Sequence, residues 1–189
     1  LNISGNLIGS NTFEDVVTFR GIDVTNATAP IITLNEIFNM QIATSVSIAA
    51  IDLGTNVTDA MVSRNKIYGL RSLTTSAYGA YGINISSGTG TSGIQIINNL
   101  IYDLITDGDG TSTTFNPFGI RITGGTNHKV YYNSVNLFGA LTGTTSTTSD
   151  ISAPLLITSN TVTGIDIRDN IFTNSITGIN PNGVKSYSA

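Results

Sequence analysis

The sequence predicts an all-β fold: a right-handed parallel β-helix, or β-solenoid, of about six coils of 29 to 37 residues. Three observations carry this expectation. A motif of one β-branched apolar residue, two residues, Asn, one residue and a second apolar residue recurs six times, with its asparagines at positions 6, 35, 65, 99, 133 and 170. Between successive copies lies a short alternating segment with apolar residues at i and i+2, the spacing that puts both side chains on one face of a strand. No window sustains the i, i+3, i+4, i+7 spacing of an amphipathic helix.

Each coil reads as three short strands and their turns. The first strand carries an inward column, Ile3, Ile32, Val62, Ile96, Val130 and Ile167, and the second another, Ile8, Ile37, Ile67, Ile101, Val135 and Phe172. The bend between them holds an asparagine ladder of Asn6, Asn35, Asn65, Asn99, Asn133 and Asn170. A stacked amide bonds both the backbone groups that a bend leaves open and the asparagines above and below. The third strand carries Ile22 and Val24, Ile51 and Leu53, Ile83 and Ile85, Ile120 and Ile122, and Leu155 and Ile157. None of these strands buries its apolar side until the next coil stacks on it, at roughly 4.8 Å, so stacking is the fold. Coil length grows at one corner, between the second and third strands. There the segments Thr106 to Pro117 and Thr142 to Pro154, rich in Gly, Thr, Ser and Asp, read as loops that gather on one face.

With 189 residues, the chain reads as a single β-helix domain over 1–189. Apolar residues make up 40%, enough for a core, whereas charged residues make up 11% with a net charge of −4 and only three lysines. No basic stripe can neutralise a run of phosphates, so nucleic acid is excluded as an expected partner. No stretch approaches the roughly 20 apolar residues a membrane-crossing helix needs, so membrane insertion by that route is not expected. The absence of cysteine removes disulfides, zinc-thiolate sites and cysteine nucleophiles together.

The segments GIQIINNLIY (Gly93 to Tyr102), VYYNSVNLFG (Val130 to Gly139) and GIDIRDNIFT (Gly164 to Thr173) resemble the repeats of pectate-lyase-like parallel β-helix proteins. They resemble still more the long secreted repeat proteins of bacterial cell surfaces. The resemblance covers essentially the whole chain and implies a secreted or cell-surface location. It is specific for fold and not for activity, because the same repeat carries lyases, hydrolases, tailspikes, adhesins and surface layers.

The outward centre of the third strand gives the strongest catalytic candidates, a column of Asp23, Asp52, Asn84, Arg121 and Leu156. Asp23 and Asp52 on adjacent coils can share a cation or raise one pKa, but Arg121 lies two coils beyond Asp52. Neither the basic group beside neutralised carboxylates that a lyase needs nor the flanking pair of a hydrolase is complete. A second outward column, Phe38, Tyr68 and Tyr102, is broken at Asn136; such rings either grip sugars or a neighbouring protomer, or stack on one another. Asp107, Gly108, Asp109 and Gly110 have the D-x-D-G opening of a calcium loop without the downstream ligands, and turn chemistry explains them equally. No other cofactor is expected. His128, the only histidine, has no partner at metal-motif spacing. Sequons begin at Asn2, Asn26, Asn56 and Asn84. The threonine clusters read as loop residues rather than the flat array of an ice-binding face.

The chain enters directly at a repeat, and neither end carries a polar cap, which leads to the expectation of a piece of a longer solenoid or a fibre protomer. The function expected is that of a non-catalytic extracellular structural or adhesive module, with self-association or neighbouring solenoid segments as partners. The alternative is a carbohydrate-binding or polysaccharide-cleaving β-helix.

Overall fold

Three columns of residues decide where this chain turns, and each is a position at which the backbone must do what a strand cannot. The computed structural model describes residues 1–12, 16–73, 78–88, 90, 92–144 and 146–188, and among these it contains strands and turns but no helix. Coil one is β1 (Asn2–Ser4), β2 (Leu7–Ile8) and β3 (Arg20–Val24); coil two is β4 (Ile31–Thr33), β5 (Glu36–Ile42) and β6 (Ile48–Leu53). Coil three is β7 (Met61–Ser63), β8 (Lys66–Ser72) and β9 (Ala80–Ile85); coil four is β10 (Gln95–Ile97), β11 (Leu100–Thr106) and β12 (Pro117–Ile122). Coil five is β13 (Lys129–Tyr131), β14 (Ser134–Leu141) and β15 (Asp150–Ile157); coil six is β16 (Asp166–Arg168), β17 (Ile171–Gly178) and β18 (Val184–Ser186).

Each coil gives one strand to each of three six-stranded sheets, and the recorded pairings are parallel. The fold is therefore a parallel β-solenoid. The expected count of about six coils is refined: only the four coils beginning with β4, β7, β10 and β13 have a neighbour on both sides. The flanking coils are thin. β2 is two residues long, and in the inward column Ile167 is 45% exposed, whereas Ile32, Val62, Ile96 and Val130 are fully buried.

The first column is the bend between the first and second sheets. Gly5, Leu34, Arg64, Asn98, Tyr132 and Asp169 sit there with φ between 53° and 68°. Five of the six carry a side chain in the left-handed region, at a cost of about 1 kcal/mol each. The next residue is in every case a ladder asparagine, and it offsets that cost. Oδ1 of Asn35, Asn65, Asn99, Asn133 and Asn170 accepts both the backbone N–H and the Nδ2 of the asparagine one coil earlier, at 2.8–3.1 Å. Each of these five Nδ2 groups also donates to the carbonyl of the inward residue one coil back, from Asn35 to Ile3 through to Asn170 to Val130.

The second column is the corner between the third and first sheets, where Ala29, Asp59, Gly93, Asn127 and Gly164 have φ between 49° and 67°. Four of their N–H groups bond the next coil's carbonyls at Thr58, Ser92, Thr126 and Thr163, at 2.6–3.0 Å. The third column is a bulge inside the second sheet: Asn39, Gly69 and Asp103 have φ of 47°, 69° and 61°. They are bracketed by the aligned rows Phe38, Tyr68, Tyr102 and Met40, Leu70, Leu104. Arg71 ties this bulge down, donating to the carboxylate and the carbonyl of Asp103 at 2.6 and 2.8 Å.

One continuous aliphatic core runs up the inside, from Ile22 and Ile32 to Leu141 and Ile176. The solenoid narrows where the third sheet faces the second, and the third strand carries Gly there. A Cβ at Gly82 would sit 2.6 Å from both the Gly119 carbonyl oxygen and Cγ2 of Ile101. A second, smaller core of Ala49, Tyr81, Phe118, Ile151 and Ala153 covers the outer side of the third sheet. It shortens the loop expected from Thr142 to Pro154. Ile151 and Ala153 have an outer core to join, so the chain is already strand from Asp150, pairing with β18 through Ser152. Thr145 in that loop, and Ala189, lie outside the described residues.

Candidate functional site

The outward column of the third sheet forms in the register expected: Asp23 stands beside Asp52, Asp52 beside Asn84, and Asn84 beside Arg121. Its groups are engaged with one another. Arg20 Nε donates to Asp52 Oδ2 at 2.5 Å, and Asn84 Nδ2 donates to Asp52 Oδ1 at 2.9 Å. Arg121 Nη1 donates to Asn84 Oδ1 at 3.0 Å and its Nε to the Thr113 carbonyl at 2.8 Å, with the guanidinium 4.9 Å from the centre of the Tyr81 ring. The result is a polar chain across four coils with a cation at each end and a buried carboxylate between. Burial holds the Arg121 pKa below its ordinary value and pushes the Tyr81 phenol up. Asp23 is exposed, so of the two carboxylates expected to share a cation, one faces solvent and the other has both oxygens bonded within the protein.

The aromatic column also forms, and its geometry shows what the ring faces touch. Phe38 and Tyr68 stack at 5.5 Å between centroids and 21° between planes; Tyr68 and Tyr102 stack at 4.9 Å and 2°. Tyr68 is covered on both faces by its neighbours, and Gly9 closes over Phe38, where a Cβ would come within 2.8 Å of the ring. A sugar ring needs an open face, which this stack does not offer at its centre. At its edge, Lys66 Nζ and the Tyr68 hydroxyl both donate to Glu36 Oε1, at 2.7 and 3.0 Å. The Lys66 ammonium, and then the Tyr68 hydroxyl, hold the Glu36 carboxyl below its ordinary pKa.

The D-x-D-G segment presents hydrogen-bond donors where a calcium loop presents oxygens. Gly108 N–H bonds Thr106 Oγ1, Asp109 N–H bonds Asn116 Oδ1, and Gly110 N–H bonds Oδ1 of the fully buried Asp150 at 2.7 Å. Asp107 Oδ1 accepts from Thr142 Oγ1 at 2.5 Å. Among the described residues no group of three or more acidic, His or Cys side chains is placed to hold a metal ion. The loop is thus latched by a carboxylate from the next coil. Its other end folds over the outer core, where the Tyr81 hydroxyl donates to the Thr114 carbonyl.

His128 occupies an inward position, fully buried, with Nε2 2.9 Å from the Gly124 carbonyl oxygen. That contact makes Nε2 the protonated nitrogen, and Nδ1 has no hydrogen-bond partner among the described residues. Burial lowers its pKa. Gly125 is small because of it: a Cβ there would meet Ser92 Oγ at 2.1 Å and His128 Nε2 at 2.8 Å. Of the sequon asparagines, Asn84 is buried in the polar chain, and the exposed Asn26 and Asn56 bond each other.

Sequence reasoning missed two features. The Asp150 latch joins residues 40 apart, and its local signal is an acidic residue where a Thr and Ser run gives way to an apolar strand. The corner column of Thr28, Thr58, Ser92, Thr126 and Thr163 is aligned by the bridges Thr28 to Thr58 and Thr126 to Thr163 and by the corner hydrogen bonds. Its threonines had read as loop residues. Comparison of the chain with known proteins found no matching family model, no matching curated protein and no matching solved structure.

Proposed function

We propose that this chain is a non-catalytic structural or adhesive β-solenoid module of a secreted or cell-surface bacterial protein, able to build filaments by end-to-end stacking. The observation that carries this reading is the one-way polarity of the asparagine ladder. Every rung offers Oδ1 to the coil before it and N–H to the coil after it, so any added rung, from the same chain or another copy, docks in the same register. The resemblance of three segments to secreted bacterial surface repeats supports the location. The engagement of Asp52 with Arg20 and Asn84 supports a structural rather than catalytic role for that column.

Electron microscopy and light scattering of concentrated protein test the stacking. Rods with an axial repeat of about 4.8 Å are expected, and Ile167→Lys, which places a charge on the 45% exposed inward isoleucine of the sixth coil, should shorten them. Discrete monomers at every concentration would count against self-assembly.

A second reading, a carbohydrate-binding or polysaccharide-cleaving β-helix, rests on the exposed Asp23 beside Asp52 on a face that also carries Arg121. Incubation with a panel of acidic polysaccharides tests cleavage. Shortened or unsaturated products that Asp52→Asn abolishes would favour it, and no release across the panel would retire it.

A further inference from the structure

We infer that the corner between the third and first sheets is a binding groove for a neutral, hydroxyl-rich ligand, a segment of an uncharged polysaccharide. This does not rest on end-to-end stacking, because the groove lies on the side of the solenoid.

The register of the coils builds the groove. One wall is the aligned column of Thr58, Ser92 and Thr126. The other is formed by the first residues after the third strands, Ser86 and Thr123, whose N–H groups bond back to Leu53 and Ile85 at 2.9 and 2.8 Å. Between the walls the floor is glycine. A cavity of about 380 Å³ lies against Ser86, Gly88, Thr123, Gly124, Thr126 and Thr161, and a neighbouring recess of about 150 Å³ shares Gly88 with it. The two together follow the corners of successive coils, and the larger falls within the 300–1,000 Å³ range of small-molecule sites.

The lining states the ligand's chemistry. Among the described residues no charged side chain borders either cavity, so a polyanion or a cation would lose its solvation with no countercharge to replace it. An apolar ligand would strand the hydroxyls that line the walls. Thr123 Oγ1 donates to the Ile85 carbonyl at 3.2 Å and Ser92 Oγ lies 3.4 Å from His128 Nε2, so the hydroxyls of Thr58, Ser86 and Thr126, which both donate and accept, match a ligand whose own groups do both. The recess is also bordered by Ser87, 1% exposed, whose buried Oγ has no partner among the described residues. The walls are preorganised, because the left-handed residues Asp59, Gly93 and Asn127 follow Thr58, Ser92 and Thr126 and lock each turn to the next coil. His128 Nε2 holds the floor carbonyl of Gly124 from beneath.

Titration of ¹⁵N-labelled protein with cellohexaose, xylohexaose and mannohexaose, beside hexagalacturonate as the charged control, tests the inference. Saturable amide shifts at Gly88, Gly124 and Thr126 are expected with at least one neutral hexasaccharide and not with the charged one. Gly88→Trp fills the groove from a position where an added Cβ meets no atom of the other described residues within 4 Å. It should weaken binding at least about tenfold. The double substitution Ser86→Ala with Thr126→Val, which nearly keeps shape and removes two hydroxyls, should do the same, with folding of both variants checked by amide dispersion. Absence of shifts at these amides with all three neutral sugars, shifts that both variants leave unchanged, or equal binding of hexagalacturonate would each overturn it.

Discussion

The backbone N–H and the side-chain Nδ2 of Asn65 converge on one atom, Oδ1 of Asn99, each at 3.0 Å. Asn99 itself donates to the Val62 carbonyl and to Asn133 Oδ1, so one buried side chain satisfies groups on both neighbouring coils. Asn99→Ala should therefore strand buried polar groups and lower stability by about 3 kcal/mol. Asn99→Asp should be at least as damaging, because a carboxylate cannot donate to Val62 or Asn133. The exposed Asn6 is the control: Asn6→Ala should cost no more than about 1 kcal/mol. Chemical denaturation of the three variants checks the order.

Leu34 holds φ of 59° with its side chain 56% exposed, so it strains the bend and packs little in return. Leu34→Gly should raise stability by about 0.5 to 1 kcal/mol, since relief of the left-handed penalty exceeds the entropy that glycine adds to the unfolded chain. An upward shift in the denaturation midpoint with unchanged slope is the expected readout.

The ring stack should behave as a coupled unit. In a double-mutant cycle of Tyr68→Ala and Tyr102→Ala, the coupling should be about 0.5 to 1.5 kcal/mol, as expected for rings 4.9 Å apart with faces nearly parallel. A coupling near zero would show that the rings share an edge of the sheet without supporting each other.

His128 gives the fold a pH dependence whose sign follows from its burial. Its folded pKa is lowered, so the unfolded chain binds a proton more readily. Stability from this residue is complete above the unfolded value of about 6.5 and falls as pH drops through the window beneath it. Denaturation midpoints at pH 7.5 and pH 5 should differ in the wild type, and His128→Gln should reduce that difference. An unchanged difference in the variant would assign the effect elsewhere.

Asp150 should control a loop rather than a metal. Asp150→Ala removes the acceptor of the Gly110 N–H and should cost about 1 to 3 kcal/mol, with faster amide exchange at Gly110 than in the wild type. Exchange in the ladder, at Asn65 and Asn99, should not change.

These sites differ in how visible they are in the chain itself. The ladder is legible because one residue type, Asn, is required at one place in every coil, and the inward columns because β-branched side chains repeat at i and i+2 on a strand. The left-handed bend beside the ladder is invisible to the same inspection. Gly5, Leu34, Arg64, Asn98, Tyr132 and Asp169 share a backbone angle and no chemistry, since the ladder asparagine, not the strained residue, stabilises the bend. The outer core was hidden for a different reason: Ala49, Tyr81, Phe118 and Ile151 point away from the main core, and only the overlying loop gives them a surface to bury against. The corner column was missed although each of Thr28, Thr58, Ser92, Thr126 and Thr163 sits seven residues before a ladder asparagine, because Ser and Thr among Gly and Asn read as turn chemistry and only the corner hydrogen bonds mark them as one aligned row.

The bulge in the second sheet has a mechanical consequence. Asn39, Gly69 and Asp103 repeat it through β5, β8 and β11, whereas β14 has no left-handed residue at that place, so the ladder between β11 and β14 stops at Tyr102 and Asn136 and the chains are joined again only at Asp107, by Gly143 N–H and Thr142 Oγ1. Only three residue pairs zip β11 to β14, against six between β8 and β11 and eight between β14 and β17. The aromatic stack ends at the same boundary. Pulled along its axis, this sheet gives way most easily at its two-pair first junction, between β2 and β5, and next between coils four and five, where it divides into blocks rather than a frayed series of single turns.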